Sequence, residues 1–262
     1  MDFRIRLFLH PHTERDIFVH IQMRKQRIPL KNGVYPPLMC RQVIDAFAVK
    51  KGNTEFKTSI NAILDEMGDD GSLETLINSY FDGTATFTYE NKSSSPQTGD
   101  LVVATNAYFP PFEYFEGNKF KGVDIEIASK IATKLGKTLF VKDMDFEAII
   151  PSVASGESDI GMAGLTVNDE RLKTVDFSLG YYSSYQVITV RESTTLFDEC
   201  KNAEDVENIL KAQTSKYKIG TQNGTTGYMY SAGDSGFGYD GFKNLTTKGY
   251  TTGALAMKDL SN

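Results

Sequence analysis

Apolar and polar positions along this chain follow two different periods, and the switches between them mark out the elements. Val43 to Lys50 (VIDAFAVK) is an apolar run suited to a strand, and Lys51-Gly52-Asn53 closes it as a turn. Thr54 then reads as a helix N-cap, with Phe56, Ile60, Ile63, Leu64 and Met67 following at helical spacing. A shorter helix starts at Gly71-Ser72, carries Leu73, Leu76, Ile77 and Tyr80 as its stripe, and stops at Asp82-Gly83. Residues 84–100 (TATFTYENKSSSPQTGD) have the composition of a linker. Beyond it, Leu101–Ala104 predicts a buried strand broken by Phe109-Pro110-Pro111-Phe112. A helix over Asp124–Leu135 turns Ile125, Ala128, Ile131, Ala132 and Leu135 inward and ends at Gly136. The strand Leu139–Val141, the helix Phe146–Ser155 and the strand Ile160–Leu165 follow, and later the strands Lys218–Thr221 and Leu245–Lys248 and the helix Thr252–Leu260. Alternation of this kind predicts the α/β class, with parallel sheets and ligands bound beyond the C-terminal strand ends.

Composition divides the chain. Residues 1–42 carry eight Lys and Arg against three Asp and Glu, whereas residues 43–262 carry 20 against 31. Six of the eight arginines (Arg4, Arg6, Arg15, Arg24, Arg27, Arg41) and all three histidines (His10, His12, His20) lie in the first 42 residues. Three readings fit: a basic arm for anionic lipid or nucleic acid, a metal site built from the histidines, or a foreign segment that packs against nothing. The last is the expectation taken forward. The whole chain, 262 residues with a net charge of -6, is of ordinary globular composition, and the negative balance argues against nucleic-acid binding. No run approaches the roughly 18 apolar residues of a membrane helix, and Met1-Asp2-Phe3-Arg4 opens without the pattern of a signal peptide. Cys40 and Cys200 have no spacing that suggests a redox or zinc motif, so no disulfide is required.

Candidate chemistry gathers at predicted strand ends. Gly164-Leu165-Thr166-Val167-Asn168-Asp169-Glu170-Arg171 follows a strand, with Thr166 or Asn168 able to cap the next helix and two acids at its positive end. Arg171 and Arg191 are the only arginines in a stretch of 220 residues that uses Lys 18 times. A planar five-donor group suits bidentate carboxylate recognition, although an ion pair with a neighbouring acid would also account for it. Lys218–Gly227 (KIGTQNGTTG) is a second strand-to-helix turn, whose backbone N–H groups could hold an anion. Tyr108-Phe109-Pro110-Pro111-Phe112 could wall an organic ligand or merely pack a loop. Catalysis finds no support: no histidine follows residue 20, Cys200 has no activating partner, and no glycine-rich loop with lysine is present. Abundant acids are read as charged surface. Binding is favoured, with no enzyme activity, cofactor or metal expected.

Four segments carry a family resemblance: LVVATNAYFPPFEYFEGNKFKGVDIEIASKIATKLGK, MDFEAIIPSVASGESDIGMAGLTVNDERLKTVDFS, YKIGTQNGTTG and YTTGALAMKDLSN. In this order they resemble the polar amino-acid substrate-binding proteins of ABC importers, the extracellular solute-binding proteins of family 3, from Leu101 to Asn262. The resemblance implies a two-lobed periplasmic-binding-protein type II fold that closes by hinge motion on an amino acid held between its lobes. It implies that Phe109 and Phe146 flank the ligand side chain and that Gly164, Thr166 and Arg171 bind its carboxylate and amino group. Thr226 would add a carboxylate contact, and Gln222 and Asn106 would approach the ligand's polar end. Where the family often has Thr, this chain has Asn168, which puts the cap geometry in question.

Against the family the order is rearranged. Ala46–Gly83 resembles the family's C-terminal end, a return crossover strand and the last two lobe-one helices, yet it precedes the N-terminal motifs. The expected division is therefore an atypical basic segment outside the fold (1–42), the family's C-terminal end (43–83), a linker (84–100), lobe one (101–190) and a partial lobe two (191–262). A fragment of a tandem array is favoured over a permuted single domain. Lobe two is expected to lack a strand and the acid that would meet the ligand's ammonium, leaving an open edge for self-association. By resemblance the partners are a free amino acid and an ABC permease, and the parent protein is extracytoplasmic. The alternatives are an amino-acid-sensing domain of a receptor or kinase and a lyase or dehydratase on the same fold.

Overall fold

A computed structural model describes residues 18–23, 39–191 and 194–261. The elements begin with β1 (Phe18–Met23), β2 (Met39–Asp45), β3 (Ala48–Lys50), α1 (Thr54–Asp69) and α2 (Ser72–Phe81). Next come β4 (Leu101–Thr105), β5 (Tyr108–Phe109), β6 (Glu113–Glu116), β7 (Lys119–Lys121), α3 (Val123–Lys134), β8 (Leu139–Asp143) and α4 (Phe146–Ser155). The rest are β9 (Ile160–Gly161), α5 (Asp169–Thr174), β10 (Val175–Phe177), β11 (Tyr182–Thr189), α6 (Ala203–Ala212), β12 (Lys218–Gln222), α7 (Thr226–Ala232), β13 (Thr246–Tyr250) and α8 (Gly253–Ser261). Two compact units result: Ile44–Tyr182 form one, and the described residues before Ile44 and after Tyr182 form the other.

The first unit is built on a sheet ordered β10-β3-β9-β4-β8. β4 runs parallel to β8 and β9, whereas β3 is antiparallel to β9 and β10, so the sheet is mixed rather than wholly parallel as expected. Side chains alternate across it. Val49, Leu101 and Val103 pack with Ile60, Leu64, Leu76, Ile125 and Ile131 from α1, α2 and α3, while Ala48 and Ala104 meet Ile149 and Val153 of α4. The buried helix faces match the predicted spacing, although Asn53 rather than Thr54 caps α1 by accepting from the Phe56 N–H. The strand expected over Val43–Lys50 is split into β2 and β3 at Ala46-Phe47. α1 and α2, which resemble the family's C-terminal helices, pack in the same core as β4, α3 and β8.

Residues 84–100 do not behave as a free linker. Ala85, Phe87 and Tyr89 pack on the core, and Tyr89 and Phe120 exchange N–H···O bonds of 2.8 Å each way. Tyr89 Oη also donates to the Leu139 carbonyl. Asn91 closes the edge of β8 as a neighbouring strand would: its Nδ2 donates to the Val141 carbonyl and its Oδ1 accepts from the Val141 N–H, both at 2.8 Å. Composition concealed this, because the polar content of TATFTYE masks an alternation with the period of a strand.

In the second unit the sheet is ordered β13-β12-β1-β11-β2, over a core that includes Val206, Leu210, Ile219, Phe242 and Leu260. Phe18–Met23 corrects the expectation that residues 1–42 stay outside the fold. β1 lies parallel to β12 and antiparallel to β11, so this sheet has five strands where a missing one was expected. The physical reason is that two facing strand edges present unpaired N–H and C=O groups, which a short β-compatible segment satisfies together. The proposed histidine site includes His10 and His12, which lie outside the described residues, as do Arg4, Arg6, Arg15, Arg24 and Arg27.

Two outcomes follow from this pairing. Asn91→Ala should destabilise the first unit by about 1–3 kcal/mol, read from denaturant unfolding, because two half-buried backbone groups of β8 lose their partners; unchanged stability would mean that water replaces the side chain. A chain starting at Met39 should lose the ladder of β1, unfold its second unit at lower temperature and associate more readily through β11 and β12. Light scattering and calorimetry check this, and an unchanged melting profile with a monomeric mass would show that β1 contributes nothing.

Candidate functional site

The C-terminal end of β9 leads into Gly164, where φ is +54° and glycine is suited to the turn. Ile44–Ala46 and Leu165–Val167 then lie antiparallel, with Ala46 N–H donating to the Leu165 carbonyl and Val167 N–H to the Ile44 carbonyl. Between those bonds, Asp45 and Thr166 form a bridge without direct backbone bonding, the geometry that brings opposed side chains closest. Thr166 Oγ1 accordingly lies 3.4 Å from Asp45 Oδ1. Asn168 caps α5 by accepting from the Arg171 N–H at 2.8 Å, so the change from the family's Thr leaves the cap intact.

Arg171 projects from this short helix into the unit and is 7% exposed. Its Nη1 donates to the Thr166 carbonyl at 2.7 Å, and its guanidinium sits 5.5 Å from the centre of the Phe146 ring. Burial pushes the guanidinium down to about 10, against the pull of Asp45, and it remains a cation at neutral pH. Asn106, 3% exposed, donates to the Met144 carbonyl at 2.8 Å, two residues ahead of Phe146. Phe109 stacks on Phe112 with ring centroids 5.4 Å apart. Arg171 thus contacts both the Thr166 carbonyl and the Phe146 ring, with Gly164 joined to Thr166 along the chain, Asn106 just after β4 and Phe109 in β5.

Gln222 and Thr226 belong to the second unit. Gln222 ends β12 and donates through Nε2 to the Thr251 carbonyl at 3.1 Å. Thr225 is the cap of α7, accepting from the Tyr228 N–H, and Thr226 is the first helical residue, 4% exposed. The strand-to-helix turn is therefore as expected.

Three acids were missed by reading acids as surface. Asp45, Glu113 and Asp124 are each at most 1% exposed. Asp124 Oδ2 accepts from the Gly164 N–H at 3.0 Å and Oδ1 from the Tyr181 hydroxyl at 2.6 Å. Glu113 shares a hydrogen bond with Asp124, and its Oε2 has no partner among the described residues. Burial first, then the neighbouring carboxylates, raises Glu113 well above its usual range. Burial lifts Asp124 to about 6, countered by the bonds from Tyr181, Gly164 and Glu113. The signal available in sequence was weak: each acid is flanked by apolar residues, as in Gly122-Val123-Asp124-Ile125. Among the described residues no group of His, Cys, Asp or Glu is placed to hold a metal ion, and no helix is long and apolar enough to cross a membrane.

A buried cation on α5 thus lies against the Thr166 carbonyl and the Phe146 ring, just past the end of a strand. The family model of the bacterial extracellular solute-binding proteins, family 3, matches residues 101–250, and the chain belongs to that family. A curated relative, the arginine-binding extracellular protein ArtP of Bacillus subtilis (strain 168), is 36% identical over 104 residues, which are 40% of this chain and 41% of that protein. The crystal structure of the substrate-binding protein of an amino acid ABC transporter is 35% identical with a TM-score of 0.51, over 63% of this chain and 66% of that one. Holo ArgBP from T. maritima is 31% identical with a TM-score of 0.50, over 62% of this chain and 64% of that one. The chain thus spans about two fifths of the curated relative and under two thirds of these structures. These relatives are named as binding proteins rather than enzymes, and the likeness confirms the type of fold that the motifs imply.

The raised acids predict a pH dependence of stability. Burial raises Glu113 above the value near 4.5 that it has in the unfolded chain, so the stability it contributes is full at low pH and is lost as pH rises through its folded value. Glu113→Gln supplies a permanently neutral donor. The variant should therefore be more stable than the parent at pH 7.5, by on the order of 1–3 kcal/mol, with the margin closing towards pH 4.5. A margin in urea unfolding that does not change with pH would show that Glu113 is not protonated.

Proposed function

We propose that this chain binds a free polar amino acid as the substrate-binding component of an ABC importer, outside the cytoplasm, and hands it to the permease. The observation that carries this reading is Arg171: a cation is buried against Phe146, and Thr166 both holds it and offers a hydroxyl. In our reading Thr166 and Arg171 take the ligand's α-carboxylate and Gly164 its amino group. Phe109 and Phe146 flank its side chain, and Asn106 adds a polar contact. Gln222 and Thr226, at the strand-to-helix turn of the second unit, are the further candidate contacts that the family resemblance implies. Support for the substrate class comes from the relatives, among them an arginine-binding protein and a probable histidine-binding protein.

We also propose that residues 43–83 complete this chain's own first lobe instead of ending a preceding copy. The shared core of α1, α2 and α3 and the clasp of Tyr89 and Asn91 on β7 and β8 support a permuted arrangement.

Calorimetric titration of the 262-residue chain with the twenty amino acids tests the function, with arginine, histidine and glutamine first. Binding is expected for at least one of them. Arg171→Lys should weaken it by about 1.5–3 kcal/mol, since an ammonium cannot reproduce the planar fork. No heat with any amino acid would end the proposal, and unchanged affinity in the lysine variant would leave Arg171 as a structural residue.

A further inference from the structure

Asp124 stands where three segments meet. Gly122, at φ +135°, leaves no room for a side chain: a Cβ there would come 2.1 Å from the Phe112 carbonyl oxygen. That close approach lets the first two N–H groups of α3, from Val123 and Asp124, donate to the carbonyls of Pro111 and Phe112 at 3.0 and 2.9 Å. The loop that carries Phe109 is thereby laid across the start of α3, and Glu113 is brought against Asp124. The other side of the carboxylate holds the Gly164 N–H, two residues before Thr166. Its third contact is the Tyr181 hydroxyl, whose ring stacks on Phe47 at 4.4 Å and whose N–H donates to the Asp45 carbonyl.

A carboxylate buried so completely opposes folding unless the groups around it compensate. Two of its partners lie on segments with residues assigned to the ligand: Gly164 is one itself and Glu113 follows Phe109, while Tyr181 ties the carboxylate to Phe47 and Asp45. We propose that Asp124 is a positioning residue of the site: its carboxylate ties the Gly164–Arg171 loop to the Phe109–Glu113 loop and to Tyr181, so that ligand affinity depends on that carboxylate and on its charge. This rests on the amino-acid-binding function proposed above.

The charge state follows from the surroundings. Facing Asp124 are Glu113 of β6 and Tyr181 ahead of β11; Asp45 acts on both of these, and Asp143 of β8 acts on Glu113. Arg171 is the cation that feels Asp45, while Glu126 on α3 is engaged by Tyr80 and Lys130. With Asp124 titrating at about 6, neutral pH favours its charged form, while burial and the neighbouring carboxylates push Glu113 towards its protonated form. Acidification neutralises Asp124 and weakens its bonds to Gly164 and Tyr181 from charge-assisted to ordinary ones.

The test is calorimetric titration of the full chain with L-arginine, or with whichever of the twenty amino acids binds, at pH 5.0 to 8.0. The parent should lose affinity on acidification with a midpoint near 6. Asp124→Asn presents an amide that cannot accept both bonds; about tenfold weaker binding is expected at pH 7.5, with no step near 6. Tyr181→Phe keeps the stack on Phe47 and removes one donor, and should bind about three- to tenfold more weakly. If the asparagine variant does not fold, the phenylalanine variant decides alone. Parent affinity and an unshifted pH profile in the variants that fold would overturn the role of Asp124 while leaving the amino-acid reading in place. A parent that binds none of the twenty would overturn both.

Discussion

Arg171, Asp45, Glu113 and Asp124 are all withdrawn from water in the first unit, none more than 7% exposed, and the surrounding architecture is arranged to make that tolerable. Isolated charges in such a setting cost several kcal/mol each, so Arg171 meets a carbonyl acceptor, Asp124 meets donors, and Glu113 is pushed towards its neutral form. The turn at Gly164, the cap at Asn168, the contact of Gly122 with Phe112 and the position of Tyr181 all serve these groups directly. A hydrophobic core of the same volume would be simpler to stabilise. Under the proposed function, groups held in place in this way would lose little freedom when a zwitterion binds.

Strand edges impose the second constraint. β8 ends the first sheet, and the main-chain groups of Val141 are taken up by the amide of Asn91. In the second unit β1 fills the gap between β12 and β11. Both solutions draw on chain that composition alone marked as dispensable, one a polar stretch and the other part of a basic segment. Hydrogen-bond demand in a sheet is blind to composition: any segment able to extend and reach the edge satisfies it.

Legibility of the site varied with the kind of signal. Arg171 stood out because the later part of the chain uses lysine almost exclusively, and its capping residue Asn168 sat at the expected place. Thr166 and Phe146 came with the family motifs, and their contacts with Arg171 agree with a shared role. Asp45, Glu113 and Asp124 escaped notice, since an acid in sequence looks the same whether it faces water or a core. Only the approach of β2, β6, α3 and the Gly164 loop distinguishes them from the exposed acids Glu66 and Glu157.

What the sequence determined alone was local: the helix faces of α1, α2 and α3, whose apolar spacing is a property of neighbouring residues, the strand-to-helix turns, and the motifs that place the chain in its family. Tertiary structure decided whatever depends on partners remote in sequence. It placed α1 and α2 in one core with the strands that follow them, turned residues 84–91 from linker into clasp, and drew Phe18–Met23 into the second sheet. The physical reason is the same throughout: spacing sets which faces are apolar, but the burial of a charge and the pairing of an edge are settled only when distant segments meet.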